Sequence, residues 1–116
     1  MKRFLILSFC ILSLVSCDSA KKPEGLLSEE KMVEVLIDIH LTEGITSSMP
    51  VAYDSSRVLY SLLEKDVFLK HEVIDSVFTQ SMLYYLRDPD EMERIYSRVV
   101  DSLVVRESSD GIIDQF

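Results

Sequence analysis

The sequence predicts an all-α fold, a small bundle of four helices, on three observations. Apolar residues recur every three or four positions in four separate stretches, turn-forming residues part those stretches, and no stretch alternates strictly enough to read as a strand. The first helix is expected to follow Ser28, an N-cap residue, with Glu29 and Glu30 placed favourably at the positive end of the helix dipole. Met32, Val35, Leu36 and Ile39 form its buried stripe, widened by Val33, Ile37 and Leu41, while Glu30, Glu34, Asp38 and Thr42 mark a wet side. Gly44 weakens its end near Ile45, and residues 46–53, with two serines and Pro50, read as a connection.

The second helix, capped by Asp54 or Ser55, carries Leu59, Tyr60, Leu62, Leu63, Val67 and Phe68 toward the core and continues to about His71. Arg57, Ser61, Glu64 and Lys65 are expected to face water. A third helix begins near Asp75, buries Val77, Phe78, Ser81, Met82 and Tyr85, and ends at Arg87. Asp88-Pro89-Asp90-Glu91 then supplies a cap, a proline at the first helical position and an acid able to close a capping box, the clearest helix start in the chain. Met92, Ile95, Tyr96, Val99 and Leu103 line the fourth helix, and Asp90 is expected to pair with Arg94.

Ahead of these helices, Lys2 and Arg3 precede an uncharged span over residues 4–15 that ends in Leu14-Val15-Ser16-Cys17. A basic start, a short apolar run and small residues before a cysteine read as a cleaved lipoprotein signal peptide, residues 1–16, too short to serve as a stable transmembrane anchor. Cys17 is then the lipidated first residue of the mature chain and its link to a membrane. Residues 17–25 read as a tether, 26–106 as the helical domain and 107–116 as a flexible tail in which Ser108, Ser109, Asp110 and Gly111 break the helix.

The chain carries 12 Lys and Arg against 20 Asp and Glu, a net charge of −8 that becomes −10 once Lys2 and Arg3 leave. Such an acidic surface repels phosphate backbones, which argues against nucleic acid as a partner. Cys10 departs with the leader and Cys17 carries lipid, so no disulfide forms within the mature chain and packing alone makes the core. A core drawn from about 80 residues supplies roughly 3 to 5 kcal/mol, and a partner would add to it.

Asp38, His40, Glu43 and His71 are the most site-like polar residues. His40 and Glu43 lie one turn apart and both could reach one ion, and His71 would complete a two-histidine, one-carboxylate set, although no spacing demands it. Asp38, two residues from His40, points elsewhere. Ser81 as a nucleophile lacks the strained Gly-x-Ser-x-Gly turn such serines use, and close helix contact explains it more simply. No Gly-rich phosphate loop, Cys-x-x-Cys pair or dinucleotide fingerprint occurs, so neither a cofactor nor a resident metal is expected. Leu83, Tyr84, Tyr85 and Leu86 form the candidate partner-binding patch, because adjacent helical tyrosines diverge by about 100° and tyrosine favours interfaces.

The ordered set Pro23, Glu30-Lys31-Met32, Leu36-x-Asp38-Ile39-His40-Leu41-x-Glu43, Phe68, His71, Phe78, Ser81, Tyr84-Tyr85, Pro89 and Ile95-Tyr96, behind the lipoprotein leader, resembles the small Bacteroidota lipoproteins grouped as domain of unknown function 4296. In that family a glycine commonly follows the position of His71, where this chain has Glu72. The resemblance implies a helical fold and a cell-envelope location, with the outer membrane or cell surface common destinations and no assigned activity. Asp18, after the lipidated cysteine, acts as an inner-membrane retention signal in some diderm bacteria. The resulting expectation is a non-enzymatic, membrane-tethered module that binds another envelope protein. Two alternatives stand beside it: a metal-dependent or hydrolytic enzyme using His40, Glu43 and His71, and a carrier for a small apolar ligand.

Overall fold

The computed structural model describes residues 1–3 and 22–113, which form four helices and no strand: α1 (Glu29–Ser48), α2 (Tyr53–Lys70), α3 (Asp75–Tyr85) and α4 (Pro89–Ile113). The all-α expectation holds. The processing site Leu14-Val15-Ser16-Cys17, the rest of the tether before Lys22, and residues 114–116 lie outside the described residues.

Two helix starts follow from local side chains as expected. Ser28 Oγ accepts from Lys31 N at 3.1 Å, and Asp88 Oδ1 accepts from the Asp90 and Glu91 amides at 3.0 and 3.3 Å, with Pro89 as the first residue of α4. The other boundaries differ from expectation. α2 begins at Tyr53 with Ala52 as N-cap and no side-chain cap, so Asp54 lies inside the first turn instead of ahead of it. Gly44 does not end α1. The helix continues to Ser48, which shortens the connection, and within its last turns Thr46, Ser47 and Ser48 donate back to the carbonyls of Thr42, Glu43 and Ile45. α3 stops at Tyr85, and Arg87 and Asp88 make tight turn bonds to the Tyr84 and Tyr85 carbonyls. Nor does the chain leave α4 at Glu107: Ser108 and Ser109 donate to the Val104 and Val105 carbonyls at 2.8 Å, and the helix runs through the expected tail to Ile113. Arg94 pairs with Glu29 at 3.4 Å and Glu91 at 3.9 Å, instead of with Asp90.

α1 is the central helix, with α2 and α4 as its main neighbours. α2 folds back antiparallel to α1: Ser56 Oγ reaches the Thr46 carbonyl near the top of the hairpin, and Lys70 and His71 reach Asp38 halfway down. α3 continues in the same direction as α2 and brings Ser81 and Tyr85 to Leu27, just ahead of α1. α4 returns parallel to α1, with Arg94 on Glu29, Arg98 on Glu30 and Arg106 beside Asp38. Two apolar clusters result. Met32, Val33, Leu36 and Ile37 pack with Tyr85, Met92, Ile95 and Val99, while Val35 and Ile39 pack with Val67, Phe68 and Val73.

The bend between α2 and α3 has a defined cause. Val73 N bonds the Phe68 carbonyl at 2.9 Å and Glu72 N bonds the Leu69 carbonyl at 3.1 Å, while Glu72 takes a φ of 55°. This is a Schellman ending, closed by the contact of Val73 with Phe68. Phe68 and Phe78 meet across the bend as tilted rings with centroids 5.2 Å apart.

α2 departs most from its expected burial. Val67 and Phe68 are buried, Leu59, Tyr60 and Leu63 are partly covered, and Leu62 is exposed. At about 100° per residue Leu62 lies about 140° round from Val67, farther than one supporting helix covers. The converse holds for α1, whose supposed wet side is narrower than its four-residue spacing suggests: Thr42 is buried and Asp38 is half-buried beneath the end of α2.

Candidate functional site

The polar cluster named by the sequence divides into two pairs on opposite sides of α1. Asp38 and His40 are two helical positions apart, about 200° around the axis, so they cannot share a face. Asp38 turns toward α2, where its Oδ2 accepts from Lys70 Nζ at 2.7 Å and lies 2.8 Å from His71 Nε2, and its Oδ1 lies 3.8 Å from Arg106 Nη1. An ionised carboxylate has no proton to give, so His71 Nε2 is the donor in that bond. Burial pushes the Asp38 carboxyl upward, but the hydrogen bonds and charges of Lys70 and His71 outweigh it and hold the group below its ordinary value.

His40 turns toward α4. Its ring tilts against Tyr96 with centroids 5.9 Å apart, its Nδ1 lies 3.4 Å from Glu43 Oε2, and its Nε2 is buried without a hydrogen-bond partner among the described residues. His71 thus joins Asp38, whereas Glu43 joins His40. Among the described residues no three His, Cys, Asp or Glu side chains stand close enough to hold a metal ion, so His40, Glu43 and His71 do not form a ligand set in this arrangement. What the Asp38 pair does in the fold is plain: it ties the end of α2 to the middle of α1.

Ser81 and Tyr85 grip the segment just ahead of α1. Leu27 N donates to Ser81 Oγ at 3.0 Å, Ser81 Oγ donates on to the Val77 carbonyl at 2.8 Å, and the Tyr85 hydroxyl donates to the Leu27 carbonyl at 2.7 Å. Both polar groups of one backbone residue are therefore held by one face of α3. Burial, followed by Glu29, Glu91 and Tyr84, pushes the Tyr85 phenol upward. Tyr85 is consequently a core residue, which corrects its place in the partner patch. Its position on the buried stripe of α3 was legible from spacing; adjacency to Tyr84 had suggested the surface.

The remainder of that patch is open. Leu83 and Leu86 are each more than half exposed, and Tyr84, partly covered, meets Tyr85 edge-on with centroids 5.4 Å apart. Leu83 and Tyr84 border a shallow hollow with Pro23, Gln80 and Arg87, so the segment expected to be a free tether already lies against α3 at Pro23. A Pro23–Leu26 turn, with the Leu26 amide on the Pro23 carbonyl at 3.2 Å and Gly25 at φ 72°, leads from there to Leu27.

Sequence reasoning did not identify a second concave region, an open groove of about 470 Å³ between the end of α1 and the start of α2. Glu43, Tyr53, Arg57 and Tyr60 line it, with the Arg57 guanidinium 5.8 Å from the centre of the Tyr53 ring. The four-residue spacing of Tyr53 and Arg57 was the available signal, hidden because residues 46–53 read as a loop. Lys70 and Arg106 were likewise missed as partners of Asp38, because nothing near residue 38 announces them. Cys17, the expected lipidation site, lies outside the described residues.

Among the described residues no helix is long and apolar enough to cross a membrane. Neither the curated proteins nor the solved structures contain a significant match to the chain. The model of the family described as Domain of unknown function (DUF4296) matches residues 23–109, most of the chain, and the chain belongs to that family.

Proposed function

We propose that this member of the DUF4296 family is a lipid-anchored protein of the cell envelope, held by Cys17, that acts without catalysis by binding another envelope protein. The observation that carries the reading is the leader: Lys2-Arg3, the uncharged span and Leu14-Val15-Ser16-Cys17. Lipid attached to Cys17 contributes about 0.8 kcal/mol per buried methylene, enough for lasting attachment when more than one chain is present. The family match begins at Pro23, and Pro23 borders the same hollow as Leu83 and Tyr84 of α3, so only a few residues separate the proposed lipid from the folded body. Those few residues extend about 20 Å at most, which keeps Leu83, Tyr84 and Leu86 near the membrane surface, within reach of a partner anchored there. An outer-membrane position is the proposed destination.

The bland geometry of the polar residues supports a binding role over an enzymatic one. Asp38 spends its hydrogen bonds on Lys70 and His71, and His40 is packed on Tyr96. The exposed apolar side chains of α3, by contrast, have no role inside the fold. The test is intact-mass analysis of the protein from cell membranes. The expected result is loss of residues 1–16 and a gain of two or three acyl chains on Cys17, with Cys17→Ser moving the protein out of the membrane fraction. An unmodified Cys17 in a soluble protein would refute the anchor. Crosslinking in cells tests the binding role: Leu83→Ser with Leu86→Ser is expected to remove a specific crosslinked partner without unfolding the protein.

A further inference from the structure

α2 is supported on one side and bare on the other. Val58, Leu62 and Leu69 are 63%, 56% and 75% exposed, and Val51, just before the helix, is 48% exposed. These residues are not scattered. Within the helix, Ser55, Val58, Leu62, Lys65 and Leu69 follow one another at alternating steps of three and four, the seam of a coiled coil, while Val67 and Phe68 on other faces already pack inside the protein. Lys65 is the one charged member of the seam, and among the described residues neither it nor Asp54 forms an ion pair.

Reversal of the seam accounts for that lysine. When two α2 helices lie antiparallel about a twofold axis level with Tyr60, Val58 packs on the partner's Leu62 and Leu62 on the partner's Val58. Leu59 faces the partner's Leu59 on one flank of the axis, and Ser61 faces the partner's Ser61 on the other. One layer outward, Ser55 opposes the partner's Lys65, whose ammonium reaches Asp54 beside it. Val58 and Leu62 thus cover their counterparts at the centre, and Lys65 and Asp54 each meet an opposite charge. A parallel pairing would instead set Lys65 on the partner's Lys65 and Asp54 near the partner's Asp54, an arrangement disfavoured by like charge. The seam therefore carries both the attraction and the orientation of its own partner.

We propose that α2 is a dimerisation helix through which two copies of this chain pair antiparallel around a twofold axis at Tyr60. The interface is isologous, so each change made in the seam acts twice per dimer. It lies on a different helix from the Leu83–Leu86 patch and does not depend on lipid at Cys17.

Sedimentation equilibrium of the full chain in density-matched detergent tests it. The wild type is expected to show a monomer–dimer equilibrium that shifts with protein concentration. Lys65→Asp and Asp54→Lys alone each place like charges together at both ends of the interface and should raise the dimer dissociation constant about tenfold. The double variant carrying both changes restores opposite charges and is expected to return near the wild-type value, a recovery that a general loss of stability cannot produce. Leu62→Glu should leave monomer alone, with helicity by circular dichroism unchanged because the side chain is exposed in the single chain. A wild type that is monomeric at every concentration, a dimer indifferent to both charge reversals, or a double variant as weak as the single ones would each overturn the proposal.

Discussion

At Glu72 the backbone adopts a φ of 55°, a left-handed conformation that costs a residue with a Cβ about 1 kcal/mol relative to glycine. A Schellman ending needs a left-handed residue after its C-cap, the place glycine fills without a steric cost. The turn survives with Glu72 because Val73 and Phe68 close it from the core. Glu72→Gly is therefore expected to stabilise the protein by up to about 1 kcal/mol, seen as a rise of roughly 4 to 8 °C in thermal unfolding for a domain of this size. A fall in melting temperature would mean that the glutamate side chain contributes more than its backbone costs. The same scale shows where sequence reasoning stopped. Asp38 read as solvent-facing because its own helix repeats a polar residue every four positions, whereas the groups that cover it come from residues more than thirty positions away. Periodicity describes a helix by itself and carries no information about which neighbour lies across from it.

Helix starts were legible where a short side chain bonds a nearby amide, as at Ser28 and Asp88, since that chemistry is complete within four residues. Helix ends were less so. Gly44 and the Ser108-Ser109-Asp110-Gly111 stretch carry breaker residues, yet both helices run through them, with the hydroxyls of Thr46, Ser108 and Ser109 bonded back onto preceding carbonyls of their own helix. A methyl group at Gly44 would meet no atom within 4 Å outside its own helix, and the residue is exposed. Gly44→Ala should thus reduce the freedom of the unfolded chain at no steric cost and stabilise the fold by about 0.5 to 1 kcal/mol, measured by urea unfolding at constant m. The width of the apolar face on α2 was the other misreading at this scale. The positions expected to face the core span more arc than α1 covers, and Leu62, the one left exposed, falls on the seam proposed to meet a second copy.

For the whole molecule, Asp38 is the joint where three helices meet: α1 supplies the carboxylate, α2 and its cap supply Lys70 and His71, and α4 brings Arg106 alongside. Lys70 and then His71 favour the ionised carboxylate, and of the two the bond to His71 is the better shielded from solvent. Because the Asp38 carboxyl titrates lower in the folded chain than in the unfolded one, its contribution is complete above about pH 5 and is lost as pH falls below the ordinary value of 3.8 and through the folded value. Asp38→Asn is expected to cost about 1 to 3 kcal/mol at pH 7, with the difference from wild type narrowing in acid; equal losses at pH 7 and pH 3 would count against this account. The all-α class and the four helices were legible because each rests on local pattern, while the packing of α2 and α4 on a shared central helix was not, since no residue states which face its neighbour will take.

The clasp of Ser81 and Tyr85 on Leu27 has a mechanical consequence. Tension applied from residues ahead of Lys22 does not peel the first helix from its end. It arrives at a backbone residue fastened at both its amide and its carbonyl, and is shared at once with the third helix, so the body resists as a unit where it is tugged.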